Sequence, residues 1–300
     1  MKEVSPRRVL EQLAGAVPPE CRKNIVVIGS IAAAYHFFGR EKNHPVRTKD
    51  VDCLLSPREE AVTSGQALAN QLLAAGWTHR TEGGFGKPQQ APTPSENLSA
   101  IRLYPPDSGT WFIELLTPPE SESDRGRKWI PVRLAQGYFG LSSFEFLSLA
   151  GYKPYETEFG LRCARPEMMA LANLLSHPVI GPETMSTMFD DRALKRSNKD
   201  LGRVLALARL SGDAEIQQWP GLWEEALRDR FPTRWRDLAI SAGKGLRDLL
   251  ASGEDLEEAL TTCDTGLLAG RSVTLEQLRA TGHRLLQDAI EPLAASAMKR

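Results

Sequence analysis

The chain has 300 residues, 41% of them hydrophobic and 25% charged, with a formal net charge of −1. That length exceeds the usual single core and predicts two domains. The near-neutral balance excludes a protein that grips long nucleic acid over its whole surface, so any such contact must be a local patch. No apolar run approaches the ~20 residues needed to span a bilayer, so no membrane partner is expected. The four cysteines (Cys21, Cys53, Cys163 and Cys263) lie far apart and form no C-x-x-C pair. With no long apolar segment in the opening M-K-E-V-S-P-R-R, they predict a reducing, cytoplasmic setting without a disulfide framework.

Residues 5–15 read as a short amphipathic helix with Val9, Leu10 and Leu13 on one face, ended by Pro18-Pro19. Ile25 to Ile28 is a continuous β-branched run, the pattern of a strand covered on both faces. Gly29 permits a tight turn, Ser30 is placed to cap a helix over 31–38, and Gly39 closes that helix. A charged loop follows over 40–47. The strand Lys49–Leu55 then alternates Val51, Cys53 and Leu55 with Asp50, Asp52 and Leu54. Pro57 is expected at the first position of a helix running to about Ala75. Residues 77–81 suggest a strand, and 83–97 a Gly/Pro/Gln/Ser-rich loop. Its G-G-F-G-K-P lacks the spacing of a phosphate loop. Leu98–Tyr104 and Thr110–Leu116 read as strands joined by P-P-D-S-G, and 117–131 as a polar loop. From about Ser142 the pattern turns helical, with one helix starting at Arg165-Pro166-Glu167. A second, over 190–210, carries Arg192, Lys195, Arg196, Lys199 and Arg203. The domain boundary is expected near residue 150, giving 1–150 and 151–300.

Side chains two apart on a strand share a face, so Asp50 and Asp52 point together. Two carboxylates so placed repel unless a cation lies between them. Mg²⁺ is held by one or two carboxylates together with substrate phosphates. Glu114, isolated in the apolar run T-W-F-I-E-L-L-T, is the candidate third metal ligand. Gly29 and Ser30 at a helix N-terminus offer backbone N–H groups to the phosphates, with Lys49, Arg47 and Lys42 as nearby positive charge. Taken singly, each signal has a plain structural reading: a solvated strand face, a turn and cap, an edge-strand acid. Their order and spacing together single out a metal–phosphate site.

That joint pattern resembles the polymerase-beta-like nucleotidyltransferase superfamily, and within it the AbiEii-type toxins of toxin–antitoxin systems. The matching positions are Val27-Ile28-Gly29-Ser30, Thr48-Lys49-Asp50-Val51-Asp52, Ile113-Glu114 and Asn198-Lys199-Asp200-Leu201-Gly202-Arg203. The resemblance covers 24–116 well and 160–210 loosely. It implies an α/β (α+β) nucleotidyltransferase fold, a small mixed sheet flanked by helices, followed by a mostly helical domain that binds acceptor or partner. It also implies that Asp50, Asp52, Glu114 and Asp200 are catalytic. Mg²⁺ would be held by the first three, and an NTP bound by Gly29, Ser30, Thr48, Lys49 and Lys199. The chain departs from the family at Asn173, where a lysine is usual, and at Arg203, where a second acid is usual.

The expected activity is Mg²⁺-dependent transfer of an NMP from an NTP to an acceptor hydroxyl. The acceptor would be an RNA 3′ end such as tRNA or a protein, in a toxin-like component that has a cognate antitoxin. Two alternatives remain open at this point. One is a nucleotide- or RNA-binding module, or antitoxin partner, with impaired catalysis. The other is a small-molecule, antibiotic-type nucleotidyltransferase.

Overall fold

The computed structural model describes residues 3–39, 45–80, 87–90, 98–106, 109–124, 126–180 and 194–299. The chain is mixed α/β, with a mixed sheet flanked by helices and a helical C-terminal region. It divides into two compact units, Met1–Arg165 and Pro166–Arg300. No helix among the described residues is long and apolar enough to cross a membrane.

The first unit runs β1 (Glu3–Val4), α1 (Pro6–Ala16), α2 (Pro19–Arg22), β2 (Ile25–Ile28), α3 (Gly29–Phe38), β3 (Val46–Arg47), β4 (Asp50–Leu55), α4 (Ala61–Ala74), β5 (Thr78–His79), β6 (Arg102–Tyr104), β7 (Phe112–Leu116), β8 (Arg127–Leu134), β9 (Gly137–Phe144), α5 (Leu147–Ala150), β10 (Tyr155–Glu156) and β11 (Arg162–Cys163). α1 starts where the sequence says it should: the Ser5 hydroxyl accepts from the Arg8 N–H, and Pro6 sits where a missing N–H costs nothing.

The main sheet has the order β10-β11-β2-β4-β7-β6-β5, with β9 beside β7 and β8 beside β9. β2 is buried at all four positions, as its β-branched run requires. It pairs antiparallel with β4, which pairs parallel with β7. α4 covers the face that carries Leu55; a Cβ on Gly65 would stand 2.8 Å from the Leu55 side chain. The opposite face, at its Gly29 end, carries Asp50 and Asp52.

Three expectations are corrected here. The charged stretch read as loop over 117–131 contains most of β8, which forms a hairpin with β9 from Arg127↔Phe144 to Leu134↔Gly137. Its signal is the alternation of Ile130, Val132 and Leu134, obscured by Pro131 and the preceding charges. Pro57 does not open α4; it precedes a short 3₁₀ turn over Arg58–Glu60. Ser30 is not a cap, because α3 begins at Gly29 with no side-chain cap hydrogen bond. The chain divides after Arg165. The reason is that β11 returns to the sheet as a parallel neighbour of β2, with Ala164 N–H donating to Val27 O at 2.8 Å. Two-residue strands leave no periodicity to read.

The second unit contains α6 (Pro166–Ile180), α7 (Arg196–Leu210), α8 (Asp213–Ile216), α9 (Trp219–Arg230), α10 (Trp235–Ser241), α11 (Lys244–Ala251), α12 (Gly253–Thr265), α13 (Leu275–Leu285) and α14 (Glu291–Met298). The expected start at Pro166 is observed. The second helix starts at Arg196; residues 190–193, Arg192 among them, lie outside the described residues. Trp223 is fully buried and donates its indole N–H to Glu167 O at 2.8 Å, fixing α9 to α6.

α7 and α12 cross closely at Gly202, where a Cβ would come within 2.7 Å of Ala259 O. Helix propensity alone favours Gly202→Ala by about 1 kcal/mol. Overpacking against backbone costs about 1–3 kcal/mol. The clash is with a carbonyl that has no rotamer to change, so the net result expected is a loss of about 1 kcal/mol in urea denaturation. A gain in stability would show that the helices can separate at no cost.

His177 on α6 carries a second prediction. Burial depresses its pKa, against the upward pull of Asp248, Asp200 and Asp255, with Lys244 also lowering it. Its Nδ1 is buried with no hydrogen-bond partner. The unfolded chain, with histidine at about 6.5, therefore takes up the proton first as pH falls. The stability linked to this site is whole above about pH 7 and is lost on acidification through the ordinary histidine range. His177→Gln should flatten that part of the stability–pH curve measured by denaturation between pH 7 and 5. An unchanged slope would remove His177 from the account.

Candidate active site

The site is assembled by one tight turn and one row across the sheet. β2 ends at Ile28, and the chain swings into α3 through Gly29, whose φ of +72° lies in the left-handed region. A Cβ built on Gly29 would stand 2.8 Å from Asp52 Oδ2. The turn thus approaches the Asp52 carboxylate on the same side of the sheet, closely enough that a Cβ there would force the carboxylate to move. The unpaired N–H groups and positive dipole end of α3 begin at this point.

The row follows from strand register. Ile28 lies opposite Asp52, Asp52 opposite Glu114, and Glu114 opposite Arg102. Arg80 N–H then donates to Arg102 O at 2.9 Å. Directly opposed residues project to one face about 4.8 Å apart. Asp50 lies on the same face, opposite Phe112 in the next row. Both aspartates are partly exposed, and Cys53, between the layers, is fully buried with its thiol pKa pushed up by that burial.

Thr48 is buried and its hydroxyl donates to Asp50 Oδ1 at 2.8 Å. It orients an acid rather than reaching toward a phosphate. Lys49 is exposed at the start of β4. Arg47 lies 3.4 Å from Glu3 as an exposed ion pair. Lys42 lies outside the described residues, as does most of the 83–97 loop.

Glu114 is 7% exposed and sits on a strand with neighbours on both sides, not at an edge facing water. Arg102 Nε donates to its Oε2 at 2.6 Å, and Arg127 Nη2 stands 3.9 Å from its Oε1. Among the described residues, no group of three or more His, Cys, Asp or Glu is arranged to hold a metal ion. The register therefore brings the backbones of Asp52 and Glu114 side by side, while the Glu114 carboxylate is taken by arginines. Asp50 and Asp52 alone match the one or two carboxylates that Mg²⁺ takes when substrate phosphates supply the remaining ligands.

Sequence reasoning missed Arg80, Arg102 and Arg127. Arg80 lies 4.4 Å over the Phe112 ring, and Arg127 lies 4.4 Å over Trp129 and 4.9 Å over Phe144. Arg102 had a local signal, since it alternates with buried Ile101 and Leu103 and so had to share a face with something polar. Arg127 had none, because its strand was not recognised.

Asp200 and Lys199 belong to the second unit, on α7. Asp200 is buried, and desolvation raises its pKa against the opposing pull of Arg203, Lys199, Arg196 and His177. Arg203 Nη1 stands 3.6 Å from Asp200 Oδ1, an ion pair one helical turn apart. The basic run around them is partly neutralised by α12. Lys195 Nζ pairs with Asp255 Oδ1 at 2.6 Å, and the Asn198 amide donates to Asp255 at 2.7 Å and Glu258 at 2.9 Å. Among the described residues this stretch therefore carries both signs of charge.

No family model, no curated protein and no solved structure matches this chain.

Proposed function

We propose that the first unit has a nucleotidyltransferase fold of the polymerase-beta-like kind and transfers an NMP from an NTP to an acceptor hydroxyl with Mg²⁺. The observation that carries this reading is the close approach of the Gly29 turn to the Asp52 carboxylate, with Asp50 on the same face. A phosphate tail seated on the N–H groups of Gly29 and Ser30 would lie against the acids that hold the cation. Mg²⁺, when bound by Asp50 and Asp52 with the phosphates, supplies charge neutralisation at the reacting phosphorus. The chain's part is positional. Thr48 fixes the Asp50 carboxylate, Gly29 leaves room for that of Asp52, and exposed Lys49 adds positive charge beside the tail. Glu114 serves as base toward the acceptor only once it leaves Arg102. In this reading the helical second unit, which carries Lys199 and Asp200 on α7, binds acceptor or partner. A toxin-like role with a cognate antitoxin, and a tRNA or protein acceptor, belong to the same reading.

One observation favours a second reading, a nucleotide- or RNA-binding module without turnover: the arginines that hold Glu114 away from a third-ligand role. One experiment separates the two. The protein is incubated with Mg²⁺, each α-labelled NTP, total RNA and cell extract. Label moving to a macromolecule with release of pyrophosphate is the expected result. NTP binding in calorimetry without pyrophosphate release would establish the module instead.

A further inference from the structure

The Glu114 carboxylate lies between two guanidinium groups in the way a phosphate oxygen pair would. Arg102 Nε is 2.6 Å from one oxygen and Arg127 Nη2 is 3.9 Å from the other. These guanidiniums are held in fixed planes. Arg127 lies over Trp129 and Phe144 and donates through Nε to Ser142 Oγ at 3.1 Å, and Arg102 lies 5.8 Å from the Phe112 ring that Arg80 covers. Stacked, pre-oriented arginines are the side chains best matched to phosphate oxygens, because little entropy is left to lose on binding.

Glu114 itself stands one strand spacing from Asp52 in the row. Two carboxylates directly opposed on a sheet repel, and the arginines relieve that repulsion. Their side chains remain in reach of solvent: Arg127 is 37% exposed and Arg102 15%, against 9% for Glu114.

We propose that Arg102 and Arg127 form a phosphate-binding site whose internal counter-ion is Glu114. An arriving phosphate group takes over the guanidinium N–H donors in direct competition with the Glu114 carboxylate. The site does not depend on nucleotidyl transfer, since binding alone reveals it.

The test is calorimetric titration of the full chain in EDTA, so that no metal contributes. The probes are inorganic pyrophosphate and a single-stranded oligonucleotide. A competing carboxylate makes a definite prediction of sign. Glu114→Gln should bind tighter, by about tenfold, because a charge-assisted competitor has been removed. Arg102→Gln and Arg127→Gln should each bind at least about tenfold more weakly. Circular dichroism checks that each variant is folded; if Arg102→Gln is not, the more exposed Arg127→Gln carries the comparison. A preference for pyrophosphate identifies a nucleotide tail as the source of the phosphate, and a preference for the oligonucleotide identifies a nucleic-acid backbone. Either supports the site. Weaker or unchanged binding in Glu114→Gln, wild-type affinity in the arginine variants, or no binding of either probe overturns it. Failure of label transfer with the affinity order intact would count against the enzyme reading alone.

Discussion

Asp52→Asn is expected to lower nucleotidyl transfer by about 10³-fold, or about 4 kcal/mol at the transition state. Asparagine keeps the shape of the side chain, so the close approach to Gly29 survives while the charge does not. The loss is therefore electrostatic, and it should fall on turnover more than on NTP binding, because charge at phosphorus develops mainly in the transition state. Folding should be nearly unaffected. The carboxylate stands close to the positive end of α3, a placement worth about 0.3–1 kcal/mol, so a stability change below about 1 kcal/mol in urea is expected. Asp50→Asn should lose activity similarly, with a misplaced Thr48 hydroxyl as an added effect, since that hydroxyl now donates to Asp50 Oδ1. Transfer within tenfold of wild type in Asp52→Asn would remove this carboxylate from the chemistry and the Mg²⁺ assignment with it.

What the sequence disclosed and what it hid divide along the range of the interactions. Asp50 and Asp52 share a face because of the two-residue period of a strand, which is local and needs no neighbour. The turn at Gly29 is likewise local: a β-branched run, a glycine and a helical pattern leave little else for the backbone to do. Placing Glu114 beside Asp52 required knowing that β4 and β7 are parallel neighbours, with Asp52 opposite Glu114. Position 114 stands out as a lone acid in an apolar strand and reads as a third metal ligand. The identity of its partner was beyond reach. Arg102 faces Glu114 through the antiparallel register of β6, and Arg127 reaches it from β8, a strand whose pattern is broken by Pro131 and crowded by charge. The same limit applies to the second unit. The run of basic residues on α7 is plain in sequence, yet Asp255 and Glu258, which neutralise part of it, come from α12, about sixty positions downstream. The order of charges along the chain shows the basic cluster but not the acids that packing brings to it.

Gly29→Ala should separate folding from function at the same place. Gly29 has φ +72°, and an alanine in the left-handed region costs about 1–2 kcal/mol. The new Cβ would also come within 2.8 Å of Asp52 Oδ2. That atom is the end of a side chain that can rotate, so the overlap is relieved at little further cost in stability. The relief moves the carboxylate, however, and displacement of a positioned group by about 1 Å is worth about 10² in rate. Urea denaturation should thus show a loss of about 1–2 kcal/mol, while transfer falls about 10²-fold, well beyond what the unfolded fraction would explain. Because the two residues act through one contact, their effects should not add. Gly29→Ala combined with Asp52→Asn should be little worse in transfer than Asp52→Asn alone. If instead the double variant loses the product of the two single effects, the added Cβ also disturbs the N–H groups at the phosphate side, independently of Asp52. The two roles are thereby distinguished by one cycle: a backbone that holds an anion would be impaired whatever stands at position 52, whereas a backbone that accommodates a carboxylate matters only while that carboxylate is present.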